Sequence, residues 1–552
     1  MLGVWLLLLL ALILGIPTGR YLYAVFLAEK SPGDRWLLPL ERALLRLVGV
    51  REPHPMDWKT YSAAVIGSNG FMALLGYFIL RQQGSLPWNP LGVPGMSWHL
   101  AFNTVASFIT NTNLQHYAGE AQISPLSQML VITFLMHASA ATGLAAGIAF
   151  IRGLTGRPLG NFWWDLIKAS LRVLWPASLL VSLLLVSQGV PQTFTFVREA
   201  HTLEGPLQTV LTGPIASFES IKHLGTNGGG YFNANAAHPF ENPTPFTNLL
   251  HMLSMMWIPV ALLFTFGHAA QNRRLPWVLF GAAGIIFVGL HGLLLHAEGS
   301  GNPLIHQLGI AGPNWEGKEV RFGIEGTSLF VSVTTGATTG SVDSAHGSLM
   351  PWGQLVPLLQ MMLNAVFGGI GVGAMNLLAM ALLTVFLIGL MVGRTPEFLG
   401  RKVEQREMAL LAAVILIHPV IILIPTALAL SLPQGVEGLT ASTFQGLTQA
   451  LYEYTSAAAN NGSGMGINGD QPFWNVSTGL VMLLGRYPSI VLLLAVADSL
   501  RKKKAAPLGP GSLRLDTGLF AGILAFMMLL LGALNFFPAL ALGPLAQAFM
   551  LP

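Results

Sequence analysis

Gly225-Thr226-Asn227-Gly228-Gly229-Gly230-Tyr231-Phe232-Asn233-Ala234-Asn235 is a polar, glycine-rich run in a chain of 552 residues that is 53% hydrophobic and only 9% charged. A soluble domain carries about 25% charged residues, so the surroundings of this run are membrane-grade and the chain reads as a polytopic membrane protein. Three shorter runs echo it: Thr110-Asn111-Thr112-Asn113, Thr338-Thr339-Gly340-Ser341 and Asn460-Asn461-Gly462-Ser463. Taken at Asn113, Gly228, Gly340 and Gly462, the gaps are 115, 112 and 122 residues. Near-constant spacing of one short element marks a repeat architecture. Four such loops from one chain can close a ring, and a ring of backbone carbonyls is what replaces the hydration shell of a potassium ion.

Working outward, ten apolar stretches are long enough to cross a bilayer: 2–27, 60–80, 127–151, 167–189, 247–269, 276–296, 351–392, 408–431, 474–499 and 515–539. The first lacks a basic leader and a small-residue cleavage site, so it reads as a retained span and not a signal peptide. The seventh is too long for one straight span, and Phe367-Gly368-Gly369-Ile370-Gly371-Val372-Gly373 should break it. Of the 28 lysines and arginines, 22 fall in the connections after the odd-numbered spans or at their edges. The positive-inside rule puts those connections in the cytoplasm and both termini outside. This spacing of the basic residues fits membrane topology and excludes a nucleic-acid patch. The chain has no cysteine, so disulfides and thiolate metal sites are excluded.

All four polar runs then lie on the outer side, each after a short semi-apolar segment that predicts a half-helix: Trp98–Ile109, Gly213–Leu224, Glu325–Val333 and Phe444–Ala458. The unit is helix, pore helix, loop, helix, repeated four times, with the first and last spans outside it. The expected division is 1–56 for the first span and connector, and 57–152, 153–270, 271–400 and 401–505 for the repeats. The last span takes 506–552. The fold class is all-α and polytopic, with four pseudo-symmetric pore-loop repeats around one axis. Non-helical backbone at membrane depth survives where it is buried or lines a water-filled path, as filter loops do. Glycine permits carbonyls to turn inward through positive φ, and Thr, Asn and Ser supply groups that brace a loop from behind.

The long run, continued by His238-Pro239-Phe240-Glu241-Asn242-Pro243-Thr244, resembles the potassium-binding, channel-like subunit of the bacterial Kdp potassium-transporting ATPases. So do Thr110-Asn111-Thr112-Asn113-Leu114-Gln115, Gly393-Arg394-Thr395-Pro396-Glu397-Phe398-Leu399-Gly400 and Ala459-Asn460-Asn461-Gly462, and the resemblance runs the whole chain. It implies the superfamily of potassium transporters with four pore loops. It also implies a selectivity filter of Asn111, Thr112, Asn113, Thr226, Asn227, Gly228, Thr338, Thr339, Gly340, Asn460, Asn461 and Gly462, with Gln115 behind the first loop tied to affinity. Gly368, Gly369, Gly371 and Gly373 match the family's gating loop, although Asn364 stands where an acidic residue is common. The transported ion is K+. The chain carries neither a G-x-x-x-x-G-K-[ST] run nor an Asp-Lys-Thr-Gly phosphorylation motif. The expectation is therefore a subunit that binds no ATP and has no catalytic residue of its own. The implied partners are a P-type ATPase subunit, a smaller single-span accessory subunit, a short single-span peptide and membrane lipid, with no nucleic acid. The resemblance implies the bacterial cytoplasmic membrane.

Two other readings stay open at this point: a self-sufficient or gradient-driven potassium transporter or channel of the same superfamily, and a non-transporting scaffold. Among the weaker signals, Gly464-Met465-Gly466-Ile467-Asn468-Gly469 has no strand before it and is read as a coincidental G-x-G-x-x-G. The fourteen histidines form no H-E-x-x-H pair and read as structural or interfacial. Arg501-Lys502-Lys503-Lys504 reads as a topology anchor. Arg486 falls in mid-span, where a charge is costly and marks function by default. It is expected below the filter, blocking straight-through leakage. The competing role is capping of carbonyls freed by Pro488.

Overall fold

The computed structural model describes residues 1–393, 395–506 and 513–551, so Arg394 of the motif above lies outside the described residues. Among those described, ten helices are long and apolar enough to cross a membrane. They are Leu2–Phe26, Trp58–Ser85, Pro125–Leu154, Phe162–Ser187, Pro245–Ala269, Leu275–Gln307, Val372–Met391, Gln405–Ser431, Pro472–Arg501 and Gly518–Met550, called spans one to ten. Many of the spans begin with proline in the first turn, which costs no hydrogen bond there and presets φ.

The expected break in 351–392 is real. A helix over Pro351–Leu363 ends at Asn364, whose φ is +47°, and span seven restarts at Val372. Asn is the non-glycine residue that tolerates a left-handed helix end, so the amide suits this position structurally. Four shorter helices precede the polar runs: Trp98–Ile109, Ile215–Leu224, Gly323–Gly336 and Thr443–Ala459. The first has the bounds read from sequence. The third, expected over Glu325–Val333, is longer at both ends and takes in the buried Thr334 and Thr335 before the loop.

Span one, which precedes the repeats, packs along span five. A Cβ on Gly19 would lie 2.7 Å from the Ala261 carbonyl oxygen and one on Gly15 within 3.4 Å of the Ala261 nitrogen. Gly15 and Gly19 are the small-xxx-small spacing that lets membrane helices approach backbone to backbone. At the span ends away from the polar runs, ion pairs with at least one buried or half-buried partner fix the connections. Arg152 of span three donates two hydrogen bonds to Asp165 of span four, at 2.7 and 2.9 Å. Arg172 holds Glu41 and Asp34 of an amphipathic helix over Asp34–Leu47. Lys503 joins Glu404 and Glu407 at the start of span eight. Burial draws the Lys503 ammonium down, and its hydrogen bonds to these two carboxylates outweigh that and hold it above the ordinary lysine range.

Candidate ion site where four loops meet

Each of the four short helices runs C-terminus first into its loop, and each loop repeats one backbone pattern. The first residue of the triplet is left-handed: Asn111 at φ +64°, Thr226 at +48°, Thr338 at +46° and Asn460 at +54°. So is the third: Asn113 at +58°, Gly228 at +91°, Gly340 at +83° and Gly462 at +108°. The middle residue, Thr112, Asn227, Thr339 or Asn461, is not left-handed. Its N–H donates to the carbonyl five residues back, in the helix: Ser107 at 2.9 Å, Lys222 at 2.8 Å, Thr334 at 2.7 Å and Ser456 at 2.9 Å. Non-glycine residues at positive φ are uncommon, and one in the same place in all four loops marks a strained conformation held by its surroundings.

The loops interlock in a cycle. A Cβ on Gly228 would fall 1.8 Å from the carbonyl oxygen of Thr339 in the third loop. One on Gly340 would fall 2.1 Å from that of Asn461 in the fourth, and one on Gly462 would fall 1.9 Å from that of Thr112 in the first. No side chain fits at these three places, which is the physical need for glycine there. The first loop has Asn113 instead, and its amide leans toward the second loop, where a Cβ on Gly229 would lie 3.0 Å from Asn113 Nδ2.

Side chains hold the ring from behind. Asn111 Nδ2 donates to the Thr226 carbonyl at 2.8 Å, and Asn460 Nδ2 donates to Thr112 Oγ1 at 2.9 Å. Asn461 Nδ2 donates to the Thr334 carbonyl at 3.1 Å, and Asn227 Nδ2 donates to the Met136 carbonyl of span three at 3.0 Å. Gln115 grips Gly230 at both ends of its amide: it accepts from the Gly230 N–H at 2.7 Å and donates to the Gly230 carbonyl at 3.0 Å.

Beneath the ring lies the connection between the helix over Pro351–Leu363 and span seven. The Gly369 N–H donates to Thr338 Oγ1 and the Ile370 N–H to Thr226 Oγ1, each at 3.0 Å. The first residues of two loops are therefore tied to the glycine run. That run is wedged in place. A Cβ on Gly371 would lie 1.8 Å from the Gly143 carbonyl oxygen of span three, and one on Gly373 would lie 2.0 Å from the carbonyl carbon of Gly368. Phe367 is held at φ +53° with its ring against Phe280 and Phe287, at centroid distances of 5.1 and 5.7 Å.

A cavity opens on the same side. Asn111, Thr338 and Asn460 line it from above, Gly369 and Gly373 from the side, and Arg486, Asn364 and His418 complete its wall. Arg486 is 5% exposed, and its Nη2 donates to the Ser139 carbonyl of span three at 3.4 Å. Among the described residues it has no carboxylate partner. Its hydrogen bond goes to another span and not to carbonyls of its own helix near Pro488.

Sequence reasoning missed several members of this site. The Ser139 hydroxyl sits 3.0 Å from Asn111 Oδ1 and 3.1 Å from Asn227 Oδ1, bracing two loops at once. Asn235 Nδ2 donates to the Gly228 carbonyl at 2.8 Å. Behind the fourth loop, His346 pairs with the Tyr452 hydroxyl at 2.7 Å, Tyr452 with Ser463 at 2.8 Å, and Ser463 donates to Asn461 Oδ1 at 2.6 Å. Burial, helped by the Lys318 charge, pulls the His346 ring down to about 3, so it works as a neutral imidazole. The available signal was polar residues inside or beside apolar helices, which must find partners.

Glu219, His223 and His251 also come together, with donor atoms within 4.8 Å of one another. The two imidazoles are stacked, 3.9 Å between centroids and 15° between planes. Lone pairs that lie in parallel ring planes do not converge on one ion. The Lys222 ammonium, 3.1 Å from Glu219 Oε2, already takes the carboxylate.

Comparison with known proteins bears on the whole chain. The family model described as potassium-transporting ATPase A subunit matches residues 5–549. The potassium-transporting ATPase potassium-binding subunit of Geobacillus kaustophilus is 53% identical over 544 residues, covering 98% of this chain and 97% of that one. Its namesake from Alicyclobacillus acidocaldarius is 51% identical over 540 residues, covering 97% and 96%. In fold, the chain is similar to the crystal structure of the potassium transporter TrkH from Vibrio parahaemolyticus, with a TM-score of 0.55 at 15% identity over 89% of this chain and 97% of that one. The repeated loops and the whole-length match lead to one conclusion: the chain belongs to the potassium-transporting ATPase A subunit family.

Proposed function

We propose that this chain selects K+ at the ring of four loops and passes it inward, as the potassium-binding subunit of an ATP-driven importer. The observation that carries the reading is the four-fold repeat of left-handed first and third residues around an interlocked ring. Left-handed residues at the first and third places let the loop carbonyls turn toward the ring's axis, which is what replacing the water around K+ requires. All four short helices end at the ring, so their C-terminal partial charges favour a cation there. The ring faces the outside, with both termini on that side of a bacterial cytoplasmic membrane, as the distribution of basic residues supports. The glycine run beneath the ring is the gate, and Gln115 sets the second loop's position through Gly230. The energy comes from a P-type ATPase subunit, with a smaller single-span subunit and a short single-span peptide completing the complex. This chain itself hydrolyses nothing.

Reconstitution tests this. Vesicles holding the chain alone are expected to show no concentrative potassium uptake, with or without ATP. Vesicles holding the complex purified from native membranes are expected to accumulate potassium only when ATP is present. Concentrative uptake by the chain alone would replace this reading with a self-sufficient transporter of the same fold.

A further inference from the structure

The residues whose carbonyls accept from the middle N–H of each loop are Ser107, Lys222, Thr334 and Ser456, one directly behind each loop. Two of the hydroxyls hold the chain around their own loop. Ser107 Oγ donates to the Leu114 carbonyl at 2.8 Å, and Ser456 Oγ accepts from the Gly462 N–H at 2.9 Å. In the second repeat a lysine stands at this place, fully enclosed. The Lys222 ammonium lies 3.1 Å from Glu219 Oε2 and 2.6 Å from Glu241 Oε2. Glu241, equally enclosed, uses its other oxygen to accept from the Phe232 N–H at 2.8 Å. Lysine and glutamate together therefore reach from the second short helix to the backbone well past its loop, where a serine would be too short.

That backbone needs a hold from outside. Between the ring and Phe232 run Gly228, Gly229 and Gly230, which have no side chain to fix them. Asn235 holds the Gly228 carbonyl, Gln115 holds Gly230, and Glu241 holds Phe232. The Phe232 ring is also stacked on His238, with 3.8 Å between centroids, so the same turn is closed twice. Gln115 and His116 fasten the first loop to its neighbours, His116 Nε2 lying 2.9 Å from Glu453 Oε1 on the fourth short helix. The Lys222–Glu241 bridge instead fastens the second loop to its own short helix.

We propose that Lys222 and Glu241 are positioning residues that set the discrimination between K+ and Na+, by fixing the second loop's carbonyls at the distance K+ requires. The inference rests on the ring being the potassium site. With the bridge broken, the glycines let the second loop shift and its carbonyls close on a smaller ion. Glu241→Gln breaks the bridge with little change in size. A carboxylate accepts at both oxygens, whereas an amide has one oxygen, and its NH2 group would face either the Phe232 N–H or the Lys222 ammonium. Lys222→Ser installs the hydroxyl found behind other loops, which cannot reach Glu241. Glu219→Gln is the control, because Glu219 meets Lys222 and His223 on its own helix. It takes a charge from the same buried cluster and leaves the bridge in place.

The test measures displacement of a rubidium tracer by K+ and by Na+ from the purified full-length chain with its native partners, alongside the thermal midpoint of each variant. The preference for K+ over Na+ is expected to fall about tenfold in Glu241→Gln, the scale of one charge-assisted hydrogen bond. Lys222→Ser is expected to lose it by a similar factor, and Glu219→Gln to keep the wild-type preference. A Glu241→Gln protein with a lowered midpoint and the wild-type preference would show a merely structural bridge and overturn the proposal. So would a loss of preference in Glu219→Gln as large as in Glu241→Gln. If Lys222→Ser does not fold, the two glutamine variants still decide. Wild-type protein from which K+ displaces rubidium no better than Na+ does would instead remove the potassium reading of the ring.

Discussion

Gly228→Asp is expected to weaken potassium binding by about a hundredfold, roughly 3 kcal/mol, and to admit sodium. The added Cβ alone would stand 1.8 Å from the Thr339 carbonyl oxygen and 2.5 Å from the Ser341 nitrogen. Both are backbone atoms of the third loop and cannot swing aside as a side chain would. The residue also sits at φ +91°, which a side chain disfavours whatever the space. The third loop must therefore shift, and its neighbour Gly340 packs on the fourth, so the disturbance passes round the ring. A charge beside the ring then rewards any small cation with less regard to its size. Gly228→Ala should show the steric part without the charge: weaker potassium binding and a smaller gain in sodium. Gly284→Ala in span six, where a Cβ meets nothing within 4 Å, is the control and should leave binding unchanged. The measurement is cation-stimulated ATP hydrolysis by the assembled complex with each monovalent ion in turn. Unchanged affinity and discrimination in a folded Gly228→Asp protein would remove Gly228 from the filter.

Arg486→Gln is expected to uncouple the complex, so that ATP is hydrolysed with little net potassium uptake, while Arg486→Lys keeps coupled transport at a reduced rate. Arg486 shares the cavity wall with Asn111, Thr338 and Asn460 of the loops above it. On the proposed reading, a fixed cation there repels potassium that would otherwise run straight through. Its single hydrogen bond to Ser139, at 3.4 Å, is long, so the planar head contributes less than the charge. Lysine keeps the charge and loses the planar five-donor head, and glutamine loses the charge while keeping some hydrogen bonding. A charge removed from mid-membrane at about 2.5–3.5 kcal/mol of insertion cost should also make the glutamine variant no less stable than wild type. Coupled uptake by Arg486→Gln, with loss of folding in Arg486→Lys, would show that the guanidinium is structural.

The long-range design of this protein was legible because it is written in local chemistry. Ten apolar stretches, glycine at Gly228, Gly340 and Gly462, and the break at Gly368–Gly373 each announce themselves within a few residues. Asn364 was legible only as a departure from a family pattern. In the structure it ends a helix at φ +47°, a role for which an amide is apt. What the sequence could not carry was partnership between distant polar groups. Ser139 is one hydroxyl in an apolar span until it is found between Asn111 and Asn227. His116 and Glu453 are 337 positions apart, and no periodicity connects them. Arg486 was placed in mid-span by its neighbours, but its partner on span three depends on how two helices cross.

The odd place in the interlocked ring has a consequence of its own. A ring assembled from four copies of one short chain can change only in all quarters at once, so any alteration is multiplied by four. Here a single chain supplies every quarter, and a substitution alters one alone. Three quarters have glycine, whereas the first has Asn113, with Gln115 and His116 as handles on both neighbours. Among the described residues the broken helix belongs to the third quarter, and Arg486, a buried arginine with no carboxylate partner, to the fourth. Freed from enforced sameness, the ring can be even-handed toward an ion at its centre and lopsided just below, which is the inequality needed to give a centred ion a preferred way out.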